Sequence, residues 1–161
     1  MNNTIHSSDD FEGMRKAGNL AASTLDLLVE KVKPGVSTEE LDNIAFDYIV
    51  RHGGLIAPLF YKGYPKSVCT SINHVICHGI PSSRILENGD IVNIDVTVIV
   101  DGWHGDTSRM FPVGKINAKA QKLIDCTFHA MHEGINAAQP NATLGDIGSA
   151  IQTYAEKQNY S

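Results

Sequence analysis

Ile91-Val92-Asn93-Ile94-Asp95-Val96-Thr97-Val98-Ile99-Val100-Asp101-Gly102-Trp103-His104-Gly105-Asp106-Thr107-Ser108-Arg109-Met110-Phe111 reads as a β-hairpin. Its first arm alternates apolar and polar residues for most of its length, and Asp101-Gly102 is a type I′ turn signal. With those two residues as the loop, Asp95 falls opposite Ser108 and Thr97 opposite Asp106. The two aspartates become diagonal neighbours on one face, with Cα atoms roughly 7 to 8 Å apart. Asn93, Thr97, His104 and Ser108 share that face, while Val92, Ile94, Val96, Val98, Trp103 and Phe111 line the other.

A polar sheet face can simply be wetted. Asp is depleted in strand interiors, however, and two diagonal carboxylates repel unless something positive lies between them. A divalent cation with hard oxygen ligands is the alternative, and from the hairpin alone both readings stand.

Composition sets outer bounds. A chain of 161 residues, 42% hydrophobic and 19% charged, is able to bury about 70% of its unfolded surface around one core. The net charge of −5 and the lack of a Lys/Arg cluster speak against nucleic acid as a direct substrate. No apolar run approaches membrane-spanning length, and the N-terminal Met1-Asn2-Asn3-Thr4-Ile5-His6 lacks the pattern of a signal peptide. Cys69, Cys77 and Cys126 form no CxxC pair and fit reduced thiols, so the expected compartment is the cytoplasm.

Along the chain the expected order is helix, helix, strands, helix, helix. Ser8 caps a first helix striped by Phe11, Met14, Ala17, Ala21, Leu25, Leu28 and Val32 and ended by Pro34-Gly35. Ser37-Thr38-Glu39-Glu40 is a capping box opening a second helix, with Leu41, Ile44, Ala45, Tyr48 and Ile49 inward and Gly53 after it. Strands are expected over Leu55 to Phe60 and Ser67 to Ile72. After the hairpin come a helix with Ala120, Leu123, Ile124, Thr127 and Met131 inward and a last helix capped by Thr143 with Asp146, carrying Ile147, Ile151 and Tyr154.

A shift of 106 residues lays Pro34 on Pro140, Ser37 on Thr143, Glu40 on Asp146, Leu41 on Ile147 and Tyr48 on Tyr154. Breaker, cap, acid and apolar stripe recur in order, which suggests internal duplication. On this reading a first repeat covers about 8–112 and a second begins at about 117–161. The chain is then an N-terminal portion of one domain, with its second pseudo-symmetric half incomplete and a sheet edge left open to association.

His78 stands apart from the other histidines because Gly79 and Pro81 force a turn directly after it. A pre-positioned imidazole is able to donate a hydrogen bond to a carbonyl or tetrahedral oxygen.

Gly63-Tyr64-Pro65-Lys66-Ser67-Val68-Cys69, Cys77-His78-Gly79-Ile80-Pro81, and Gly89-Asp90-Ile91-Val92-Asn93-Ile94-Asp95-Val96 followed by Gly105-Asp106-Thr107-Ser108 closely resemble type I methionine aminopeptidase. The resemblance implies an α+β pita-bread fold, an antiparallel sheet with covering helices in two pseudo-symmetric halves. It also implies a hydrolase, a metalloprotease of the aminopeptidase class that removes the initiator methionine from nascent polypeptides near the ribosome, monomeric at full length. For this sequence it makes Asp95 a ligand of one metal, Asp106 a bridge between two, and His78 the group meeting substrate at the scissile bond. Tyr61, Tyr64 and Cys69 match positions lining the methionine pocket.

Two divalent ions, such as cobalt, manganese, iron or zinc, complete the family's site, together with one histidine and two glutamates from the second half. The chain ends before the Gly-His-Gly motif that carries the histidine, so it is expected to be inactive by itself. One alternative is a non-catalytic pita-bread relative that binds polypeptide N-termini or a partner chain. Another is the Xaa-Pro peptidase branch, disfavoured by Tyr64-Pro65-Lys66-Ser67 and Cys77-His78-Gly79-Ile80-Pro81.

Overall fold

Asp101 and Gly102 both adopt left-handed dihedrals, with φ of 52° and 86°, as a type I′ turn requires. This turn joins two ten-residue strands, which we label β3 (Ile91–Val100) and β4 (Trp103–Pro112). Their register places Asp95 opposite Ser108 and Thr97 opposite Asp106, as the two-residue loop demands. The computed structural model describes residues 5–161, so the first four residues of the N-terminal stretch read above lie outside the described residues.

β3 is the centre of a four-stranded antiparallel sheet. β4 occupies one edge along its whole length, and the other edge is shared by two short strands, β1 (Leu55–Ile56) and β2 (Cys69–Ile72). Val92, Ile94, Val96 and Val98 are fully buried on one face. Against that face pack helix α1 (Ser8–Leu28), through Ala17, Ala21, Leu25 and Leu28, and helix α2 (Thr38–Arg51), through Leu41, Ala45 and Ile49, in one continuous core. Each large aliphatic side chain taken from water there contributes about 1.5 to 3 kcal/mol.

Several boundaries differ from the sequence expectation. The cap of α1 is Ser7, which forms a capping box with Asp10. The helix stops at Leu28, after which turns carry the still-buried Val32 towards Gly35. Phe11 is exposed. Ser37 caps α2 by accepting from the Glu40 amide, the one half of a capping box that the structure forms there. The first expected strand shrinks to Leu55–Ile56, because the chain leaves the sheet into a tight turn over Tyr61–Gly63 in which Phe60 and Lys62 both take positive φ.

The chain divides into two compact units, one running to Ile116 and the other from Asn117 to Ser161. The second consists of helix α3 (Ala118–Ala137), capped by Asn117, and helix α4 (Leu144–Lys157), capped by Thr143 in a full capping box with Asp146. α2 and α4 are each 14 residues long and stand in register at the 106-residue offset. The buried side of α3 is Cys126, Ala130 and Gly134, whereas Leu123, Thr127 and Met131, expected inward, are exposed. Small residues take the inner positions because α4 comes close: a Cβ on Gly134 would lie 2.8 Å from Ile151.

Candidate active site

The face of the sheet opposite the core carries Asn93, Asp95 and Thr97 from β3 and Asp106 and Ser108 from β4. Thr97 donates from Oγ1 to Asp106 Oδ1 at 3.1 Å, and Asn93 Nδ2 donates to Ser108 Oγ at 3.4 Å. Register places His104 at the same edge, opposite Ile99 and in solvent. Partial burial pushes the Asp95 carboxyl above the usual carboxylate range, and the adjacent charge of Asp106 pushes it further. His78 acts in the opposite direction, favouring the ionised Asp95.

β2 supplies the next group, since Cys69 is the cross-strand partner of Asp95. Burial raises the Cys69 thiol, with the charges of Asp95 and Asp106 adding to it, so the sulfur is held as a neutral, apolar wall. The Tyr64 hydroxyl lies against it and is shared between the carbonyls of Val68 (2.9 Å) and Gly79 (3.1 Å). Burial pushes that phenol well above its ordinary range.

His78 takes φ of 56°, an uncommon conformation for a side-chain-bearing residue. The following Gly79 accepts from the Thr70 amide at 2.8 Å, and a Cβ there would stand 2.2 Å from the Thr70 carbonyl oxygen. Only glycine allows so close an approach. The structure thus sets Tyr64 and Cys69 against the Asp95 and Asp106 face, with the exposed His78 near enough to bear on the charge of Asp95. Tyr61 instead sits exposed on its turn, with the Lys62 ammonium 5.4 Å above its ring.

The residues that hold these loops have no such role in the sequence expectation, where Thr38, Glu39, Lys66 and Asp90 enter only as cap or motif residues. Asp42, buried on α2, accepts from the amides of Ser67 (2.8 Å) and Val68 (3.0 Å). Thr38 and Ser82 exchange two hydrogen bonds, and Lys66 pairs with Glu39 at 2.7 Å. The first turns of α2 therefore grip both the segment leading into β2 and the segment after His78. Asn73 donates to the buried Asp90 at 2.8 Å and accepts from the Ile91 amide at 3.1 Å, closing the base of the excursion that carries His78. Buried polar groups of this kind leave no periodic signature in a sequence.

A hard divalent ion matches this donor set in kind: two carboxylates on one face, one of them partly desolvated. It does not match in number, for among the described residues no three His, Cys, Asp or Glu side chains converge on a common point. Asp95 and Asp106 alone are fewer ligands than a divalent ion takes.

An uncompensated carboxylate pair has a measurable cost. Because the folded-state pKa of Asp95 is raised, stability is lost as pH rises from the ordinary carboxylate range through that raised value, and stays lost above it. In the metal-free chain Asp106→Asn is expected to raise stability at pH 7 by less than about 1 kcal/mol, since solvent screens the open face. The gain should shrink as pH falls towards 4. Urea denaturation at the two pH values checks this, and an Asp106→Asn chain less stable than wild type at pH 7 would contradict it.

The profile of metallopeptidase family M24 matches residues 12–161. The chain belongs to metallopeptidase family M24. This M24 chain is 59% identical over 157 residues to the methionine aminopeptidase of Rickettsia prowazekii (strain Madrid E) and 50% identical over 160 residues to that of Escherichia coli (strain K12). Each match takes in 98% of the chain but 61% of the relative, so the chain spans about three fifths of their length. The crystal structure of the Rickettsia prowazekii methionine aminopeptidase superposes with a TM-score of 0.97 at 58% identity, covering 98% of this chain and 64% of that one. An X-Pro aminopeptidase from Thermotoga maritima superposes with a TM-score of 0.83 at 14% identity, a likeness of fold alone. The M24 chain has the α+β pita-bread fold, an antiparallel sheet with covering helices. Among the described residues no helix is long and apolar enough to cross a membrane.

Proposed function

We propose that this chain forms the N-terminal part of a methionyl aminopeptidase that removes the initiator methionine from nascent polypeptides in the cytoplasm. The observation that carries this reading is the same-face pair of Asp95 and Asp106, in a chain 59% identical to a methionine aminopeptidase. Asp95 and Asp106 would supply two ligands to a pair of divalent ions. When bound, such ions supply Lewis acidity for peptide-bond hydrolysis.

The other roles belong to this chain's own side chains. The His78 imidazole is held where it is able to donate a hydrogen bond to the oxygen of the scissile carbonyl as charge develops on it. Cys69 and Tyr64 present a neutral, partly buried wall suited to a thioether side chain, and neither adds a charge that would have to be desolvated on binding. A purely binding relative would gain nothing from two repelling carboxylates, which favours the catalytic reading over the binding one.

Two carboxylates are too few to hold such ions without help. Residues 1–161 are therefore expected to release no methionine from a Met-Ala-Ser peptide in the presence of manganese. Joined to the remaining portion of the Rickettsia prowazekii relative, the same residues should cleave it, and chelation should stop the reaction. Chelator-sensitive release by the chain alone would overturn the ligand count. Failure of the completed protein would overturn the function.

A further inference from the structure

Ser71 has no part in the site as described, yet it bonds to the backbone directly after the left-handed His78. In β2 it lies opposite Asn93, two residues from the Cys69 and Asp95 pair, and it is buried, at 4% exposure. Register puts its side chain on the same sheet face as Asp95. Its Oγ accepts a hydrogen bond from the Gly79 amide at 3.2 Å, which is the N–H of the peptide linking His78 to Gly79. The other side of Gly79 is tied separately, its carbonyl accepting from the Thr70 amide and the Tyr64 hydroxyl.

This division of contacts matters because of the dihedrals. His78 is held at φ of 56°, where a residue with a Cβ persists only if its surroundings over-determine it. Bonds to the Gly79 carbonyl fix the peptide that follows the glycine. Rotation of the peptide that follows His78, which sets where the imidazole leaves the backbone, is restrained by the bond to Ser71.

We propose that Ser71 is the positioning residue for His78, its hydroxyl locking the His78–Gly79 peptide to the sheet face that carries the carboxylates. Ser71 touches no substrate on this account and acts wholly through the imidazole. The inference rests on the reading of His78 as the group that meets the scissile carbonyl.

A double-mutant cycle in the completed enzyme separates the two. His78→Ala should lower kcat, and Ser71→Ala, which leaves the backbone free to rotate, should lower it by about 10- to 100-fold with KM changed less than about 3-fold. Ser71→Thr, which keeps the hydroxyl, should recover most of the rate. In the His78→Ala background Ser71→Ala should have no further effect on kcat. Amide exchange at Gly79 in residues 1–161 should speed up in Ser71→Ala and remain slow in Ser71→Thr. Equal losses from Ser71→Ala with and without His78, or slow Gly79 exchange in Ser71→Ala, would overturn the proposal while leaving His78 in its role. An unchanged rate in His78→Ala would overturn the reading of His78 and the proposal with it.

Discussion

In the completed enzyme, Asp106→Asn is expected to reduce methionine release at least about 100-fold, since changes merely outside a metal's ligand shell already cost 10- to 100-fold. The substitution preserves shape, and an Asn oxygen is still able to accept the Thr97 hydroxyl now bonded to Asp106 at 3.1 Å. What it removes is the negative charge that would hold the proposed cations. The same substitution is expected to stabilise the metal-free chain slightly, so loss of activity with undiminished folding is its diagnostic combination. Steady-state rates on a Met-Ala-Ser peptide, with a thermal melt of the metal-free protein, test both halves. A variant retaining a tenth of the wild-type rate would remove Asp106 from the ligand set.

Gly105→Ala is expected to cost about 3 kcal/mol or more, an effect confined to a few mechanisms of which forced overpacking against backbone is one. A Cβ at this position would fall 2.3 Å from the Ala17 carbonyl carbon and oxygen and 2.6 Å from the Gly18 nitrogen. No flexible side chain is available to move aside, so α1 would have to lift away from β4. The clash is on the core face, while Asp106, one residue on, points to the other side. Denaturation midpoints of the two chains measure the effect, and a change under about 0.5 kcal/mol, the range of ordinary surface substitutions, would mean that α1 and β4 are not so closely apposed.

The hairpin was legible in the sequence because a two-residue turn leaves no freedom of register, so the pairing of Asp95 with Ser108 follows from Asp101-Gly102 alone. The caps Ser37 and Thr143 were legible for a similar reason, each being a short polar side chain just ahead of an apolar period. The first strand was overread, since Phe60 and Lys62 take left-handed conformations that neither residue type announces. On α3 the larger apolar residues Leu123 and Met131 suggest the wrong face, because Ala130 and Gly134 are the positions on which the packing closes. Within the site, the carboxylates and His78 stood out through unusual context. Asp42, Ser71 and Asp90 did not, because a buried polar anchor is defined by partners far away along the chain. Tyr61 was named by resemblance, and its ring lies in solvent.

The turn at Asp101-Gly102 also bears on the order in which the molecule assembles. A hairpin closed by two residues forms on the microsecond scale, about 1 to 10 μs, and needs no contact with distant segments. Synthesis adds residues far more slowly, at about 5 to 20 per second. During translation both carboxylates are thus expected to face each other while α3 and α4 are still unmade. Cations in the surrounding solution would then meet a preformed pair too small to hold them, so capture would wait until the ribosome has delivered the remaining ligands.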